Sequence, residues 1–177
     1  MELTLAILKP HIIKAPHALE GIKQIILENG FLTIKSKRLC FEMFQVEKFY
    51  EEHKHKFFYN RLVTFMTSGE SEVCILAKEN AIKEWRKLMG PTKVYQSVYT
   101  NPDSIRGIYG LTDTRNATHG SDSPESVIKE ISIFFPEFCV NDWLKNNHKA
   151  IQHGFAALKQ NCFVNLVDNK SEVVVDR

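Results

Sequence analysis

Asn116-Ala117-Thr118-His119-Gly120-Ser121-Asp122-Ser123-Pro124-Glu125 sets one imidazole among small and hydroxyl-bearing neighbours, just ahead of a helix start. Ser123 reads as an N-cap, Pro124 as the first helical residue and Glu125 as an acidic first turn. The spacing predicts a helix over Pro124–Phe134, with Val127, Ile128, Ile131 and Phe135 turned inward and Pro136 as its stop. His119 is then expected on the connection that enters this helix, where an anion would meet free backbone N–H donors. Read alone, a single loop histidine is more often an ordinary surface or packed side chain than a nucleophile.

Upstream, Leu3–Leu8 is a short apolar run closed by Lys9-Pro10, the pattern of a strand buried on both faces. Between Pro16 and Asn29, Ala18, Leu19, Ile22, Ile25 and Ile26 recur at helical spacing, and Asn29-Gly30 is a stop. Phe31–Phe41 alternates apolar with polar or basic residues, as in a half-buried strand. Two helices, Phe44–His53 and Arg61–Met66, flank a polar joint before a third strand at Val73–Ala77. Ala81–Met89 has helical spacing at Ile82, Trp85 and Leu88 and ends at Gly90-Pro91. Pro91–Ser104 carries no periodicity, so a long functional loop is expected. This order of elements fits a sheet in two layers with helices on one face.

The 177 residues, 44% of them apolar, suffice for one well-buried domain. A net charge of +2, without a run of five basic residues, gives no footprint for nucleic acid. No apolar run approaches the roughly 18 residues of a membrane helix, and the opening residues read as a strand rather than a basic targeting leader. Cys40, Cys74, Cys139 and Cys162 are widely spaced, which predicts separate thiols in an intracellular, soluble protein. His53-Lys54-His55-Lys56 reads as a solvated joint, because i and i+2 positions do not share a helix face.

Neither GxxxxGK[ST] nor GxGxxG follows a strand, so any phosphate must be held by side chains. Lys9 closes the first strand, Arg86 lies on a helix and Arg106 follows the long loop. Taken singly, each reads as a solvated surface charge before it reads as an anion ligand.

The eight residues Asn116–Ser123 resemble the active-site signature of the nucleoside diphosphate kinases: asparagine, two variable residues, histidine, glycine, serine, aspartate, serine. The likeness covers residues 2–138, and the run Gly110-Leu111-Thr112-Asp113-Thr114-Arg115 is most similar to the kinase 6 branch of that family. The resemblance implies a ferredoxin-like βαββαβ core of the α+β class, a four-stranded antiparallel sheet with helices packed on it. It implies a kinase-like domain over 1–138 and an extension over 139–177, where Ile151, Phe155, Leu158 and Cys162 have helical spacing before a frayed end from Asp168.

The implied activity is transfer of a terminal phosphate between nucleoside di- and triphosphates through a phosphohistidine on His119. Lys9 would touch the transferred phosphate and ribose, Arg86, Thr92 and Arg106 the phosphates, and Asn116 the sugar hydroxyl. Tyr50 would stand close to the histidine, Ser121 and Glu130 behind it, and Phe57 would stack on the base. From sequence alone Tyr50 reads as half-buried with a wet hydroxyl, and Phe57 as core packing. Mg²⁺ would arrive on the nucleotide phosphates, with Asp122 assisting through water. A homo-oligomer is implied, in the cytoplasm or the mitochondrion, with no nucleic-acid partner.

Two departures from the better-known members stand out. The segment between Thr92 and Arg106 differs in length and content, so that it or the tail from Cys139 could serve a protein partner. Asp113 falls where those members carry an apolar residue beside the base. They motivate a rival expectation, a weakly active or inactive kinase-like module acting as a regulatory or interaction subunit.

Overall fold

The computed structural model describes residues 1–152. Phe155, Leu158, Cys162 and the end from Asp168 lie outside the described residues. Four strands, β1 (Glu2–Leu8), β2 (Leu32–Cys40), β3 (Glu70–Lys78) and β4 (Thr118–Gly120), form one antiparallel sheet in the order β2-β3-β1-β4. A short helix α1 (Pro10–Ile13) and then α2 (Pro16–Glu28) connect β1 to β2. Between β2 and β3 run α3 (Met43–Phe49), a 3₁₀ turn at Glu51–His53 and α4 (Tyr59–Met66). Between β3 and β4 come α5 (Ala81–Met89), α6 (Val94–Thr100) and α7 (Ile105–Tyr109). After β4 follow α8 (Pro124–Phe134) and α9 (Val140–Gln152). This is the ferredoxin-like arrangement.

Successive side chains of a strand point to opposite faces, and β1 is apolar on both. Leu3, Leu5 and Ile7 join Val46 of α3, Val63 of α4 and Ile131 of α8 on one side. Ala6 and Leu8 join Ile22 of α2, Trp85 of α5 and Ile105 of α7 on the other. Helices therefore cover both faces, not one as the order of elements suggested. The buried-on-both-faces reading of Leu3–Leu8 already required this second layer. Each fully buried Leu or Ile side chain contributes about 1.5–3 kcal/mol.

Two further expectations are corrected. His119 lies within β4, opposite Ile7, rather than on a loop. Three residues such as Thr-His-Gly show no strand pattern, and they become extended because β1 offers them an edge to pair with. Pro91–Ser104 is not a structureless loop, since α6 occupies Val94–Thr100. Only Val94 and Ser97 of that helix are buried, which leaves no apolar stripe for the sequence to display. Phe138, Trp143 and Leu144 pack against the first cluster, so the start of the C-terminal extension rests on the core.

Candidate active site

The pairing of β4 with β1 builds the frame. Thr118 Oγ1 donates to the Ile7 carbonyl at 2.9 Å, and the Lys9 amide donates to the Ala117 carbonyl at 3.0 Å. Ala117 is buried with φ +67°, a left-handed conformation that is sterically costly for a residue with a Cβ. Gly120 has no alternative. A Cβ there would sit 2.3 Å from Cδ1 of Trp85, which is itself fully buried. Trp85 Nε1 in turn donates to the His119 carbonyl at 3.1 Å.

His119 Nε2 lies 2.9 Å from Glu130 Oε1, and the other carboxylate oxygen accepts a 2.6 Å hydrogen bond from Ser121 Oγ. Ser121 Oγ also accepts from the Leu5 amide at 3.2 Å, so its own proton is directed at Glu130. An ionised carboxylate only accepts, which places the imidazole proton on Nε2 and leaves Nδ1 with its lone pair free. Phe49 meets the imidazole edge-on at 4.7 Å and restrains its rotation. The Ser123 hydroxyl caps α8 by accepting from the Ser126 amide, which anchors the helix that carries Glu130.

Around this group lies a cationic network. Lys9, 4% exposed, donates from Nζ to Asn116 Oδ1 at 2.7 Å and to the Thr114 carbonyl at 3.2 Å. Asn116 Nδ2 donates to the Thr92 carbonyl at 3.2 Å. Arg106 Nη1 donates to the Gly90 carbonyl at 2.8 Å and reaches Thr92 Oγ1 at 3.5 Å, while Nη2 donates to the Thr118 carbonyl at 3.1 Å. Its Nε is buried without a partner. Burial, and then Arg106, push the Lys9 ammonium down to about 7. Burial, and then Arg86, lower Arg106 to about 10. Cations crowded out of water in this way favour an arriving polyanion.

Arg86 is exposed and shares a groove of about 420 Å³ with Asp122. A hydrogen bond from Ser126, and then the charge of Arg86, hold the Asp122 carboxyl below its usual range. Tyr50 is 7% exposed, correcting the expected wet hydroxyl; burial and the nearby Glu130 raise that phenol strongly. Phe57 is 92% exposed with the Phe58 ring edge-on to it at 5.3 Å, so the core-packing alternative fails.

A larger open cleft, about 1140 Å³, lies beside these groups between α4 and α6, floored by residues 110–115. None of the imidazole and cationic groups lines it, yet Thr114 on its floor holds Lys9. Sequence reasoning thus brought together Lys9, Thr92, Arg106 and Asn116, and separately His119, Ser121 and Glu130. It missed Phe49 and Trp85, whose roles depend on contacts from α3 and α5 that no local pattern announces.

A four-stranded antiparallel sheet with a histidine on its edge strand, and buried cations tied to Asn116, Ala117 and Thr118 ahead of it, defines a ferredoxin-like α+β protein. The chain belongs to the nucleoside diphosphate kinase family: the family model "Nucleoside diphosphate kinase" matches residues 2–140. Proteins named nucleoside diphosphate kinase 6 are similar over most of the chain. The Xenopus tropicalis protein is 49% identical, covering 87% of this chain and 86% of its own length. The Danio rerio protein is 51% identical, covering 81% and 82%. Among solved structures, the nucleoside diphosphate kinase of Aquifex aeolicus superposes with a TM-score of 0.72 at 36% identity, covering 76% of this chain and 94% of that one. Among the described residues no helix is long and apolar enough to cross a membrane.

Proposed function

We propose that the chain is a catalytically competent nucleoside diphosphate kinase, and that His119 Nδ1 is its nucleophile. One observation carries this reading: Nε2 is committed to a carboxylate that is itself fixed by Ser121, so the other nitrogen is bare. Nδ1 attacks the terminal phosphorus of a nucleoside triphosphate. The new P–N bond forms as the bridging P–O bond breaks, and the electron pair leaves with the nucleoside diphosphate. A second diphosphate then attacks the phosphohistidine and returns the imidazole. Glu130 takes up the rising positive charge on the ring, and Ser121 keeps that carboxylate aimed.

The transferring group spreads negative charge over its equatorial oxygens. Lys9, Arg86, Arg106 and Thr92 are the donors assigned to that charge, and losing one such donor raises a barrier by about 3 to 4 kcal/mol. Asn116 is assigned to the sugar hydroxyl and Phe57, standing free in solvent, to the base face. Among the described residues no three His, Cys, Asp or Glu side chains converge into a metal cage. The donors are cations and hydroxyls, which suits Mg²⁺ carried on the nucleotide, with Asp122 as a water-mediated contact. Bound there, the metal would offset charge on the bridging oxygens.

Incubation of the protein with γ-labelled ATP and Mg²⁺ should yield an acid-labile phosphoenzyme, chased by GDP or CDP and absent in His119→Ala. A rival reading, an interaction module without turnover, draws on exposed Val98 and Tyr99 of α6. It is the one to adopt should folded wild-type protein take up no label. Assembly into a homo-oligomer and residence in the cytoplasm or mitochondrion remain part of the proposal carried over from the family resemblance.

A further inference from the structure

Asp113 lies on the floor of the α4–α6 cleft, at the middle of a closed turn. The Leu111 amide donates to the Arg115 carbonyl at 2.8 Å, and the Arg115 amide donates to Thr112 Oγ1 at 3.1 Å. From this turn Asp113 Oδ1 accepts a hydrogen bond from the Val94 amide at 3.1 Å, at the start of α6. Val94 is only two residues beyond Thr92, and the strand of chain leading to it is tethered again where Ser97 Oγ donates to the Pro91 carbonyl at 2.8 Å. On the same side, Gly110 leaves room for its neighbours: a Cβ at position 110 would sit 2.4 Å from the Arg106 carbonyl oxygen and 2.7 Å from Val94 Cγ2.

What this latch holds is the Gly90–Thr92 turn. That turn supplies the Gly90 carbonyl and the Thr92 hydroxyl to Arg106 and the Thr92 carbonyl to Asn116. Asn116 in turn holds Lys9. We infer that Asp113 is a positioning residue of the nucleotide site. It clamps the 90–94 turn against the 111–115 turn, so that Thr92, Arg106 and Asn116 are in place before a nucleotide arrives. The inference rests on the proposed kinase reading, and it gives a task to a charge that had looked out of place beside a base. The carboxylate serves as a hydrogen-bond acceptor for α6.

The test compares full-chain wild type, Asp113→Asn, Asp113→Ala and Gly110→Ala by Mg-ADP affinity and by hydrogen exchange at the amides of residues 94–97. Asparagine keeps an oxygen for Val94, so Asp113→Asn should bind within about twofold of wild type. One lost hydrogen bond of ordinary strength predicts roughly three- to tenfold weaker binding in Asp113→Ala. Exchange should then be faster at 94–97, and label uptake at saturating nucleotide should slow as well, because Thr92 and Arg106 are donors to the transferring group. Gly110→Ala, whose Cβ meets the Arg106 carbonyl as well as Val94, is read by exchange rather than by affinity: it should speed exchange at 94–97 even if the alanine variant at 113 does not fold. Unchanged exchange and affinity in the folded variants would overturn the inference, as would an asparagine variant as weak as alanine, which would assign the effect to charge. Wild type that takes up no label defeats the kinase reading instead; the latch is then judged by exchange and Mg-ADP affinity, neither of which needs turnover.

Discussion

At position 119 the chemistry depends on which nitrogen carries the proton, and a single oxygen of Glu130 decides it. Replacing that carboxylate by an amide lets either tautomer be held. Glu130→Gln should therefore slow labelling of the enzyme on the order of a hundredfold or more, measured by rapid quench; labelling at the wild-type rate would remove Glu130 from the mechanism. Lys9 makes a second test. Its buried ammonium, lowered to about 7, is largely neutral at pH 8 in the free protein, and bound phosphates would restore its charge. Mg-ADP binding at pH 8 should thus take up a proton, seen as heats of binding that differ between buffers of different ionisation enthalpy; Lys9→Gln should abolish the difference. Gly120 supplies a third. Adding a methyl group drives into the Trp85 ring, which has no room to yield, so Gly120→Ala should lose about 1–3 kcal/mol in urea unfolding. The polar members of the site were legible because a lysine, two arginines and an asparagine stand in a recognisable order around one histidine. The parts played by Trp85 and Phe49 were not, since they follow from distances to side chains on other elements.

Among the elements, α8 is the most plainly written: hydroxyl cap, proline and acidic first turn all agree with the observed start at Pro124. Removing its cap in Ser123→Ala should cost about 1 kcal/mol of stability, read from the urea midpoint. The strand β3 was also found, though it extends beyond the apolar run at both ends, because its pairing with β1 and β2 continues through Glu72 and its pairing with β2 through Ser71. Burial works to raise the Glu72 carboxyl, yet hydrogen bonding and charge from Lys23, joined by Arg38 and Ser36, hold it below the usual range. α6 and β4 escaped notice for opposite reasons. α6 is a helix with almost no buried face, fixed by hydrogen bonds at its start; β4 is too short for any period and exists only as a neighbour of β1. β4 carries His119 and α6 starts two residues after Thr92, so two of the least readable parts of the chain adjoin the candidate site residues.

For the molecule as a whole, three perturbed groups push stability the same way with pH. Glu72 is depressed, so its contribution is present above its unfolded value and lost as pH falls through the folded one. His11, lowered to about 4 by burial and then by Lys9, withholds a proton that the unfolded chain binds below about 6.5. Lys9 does likewise between about 7 and its unfolded value of 10.5, where stability rises with pH. Urea midpoints of the ligand-free protein should increase from pH 5 through 7 to 9, and a maximum at pH 5 would contradict these assignments. The distance in sequence between β1 and β4 carries a consequence for biosynthesis. Leu5 and Ser121 are 116 positions apart, yet they bond to one another in the centre of the finished site. A ribosome adding roughly 5–20 residues per second keeps the first strand waiting several seconds or more for its last neighbour. Throughout that interval one border of an apolar ribbon stands open to other nascent chains, and messages truncated before codon 121 would yield products that never close it.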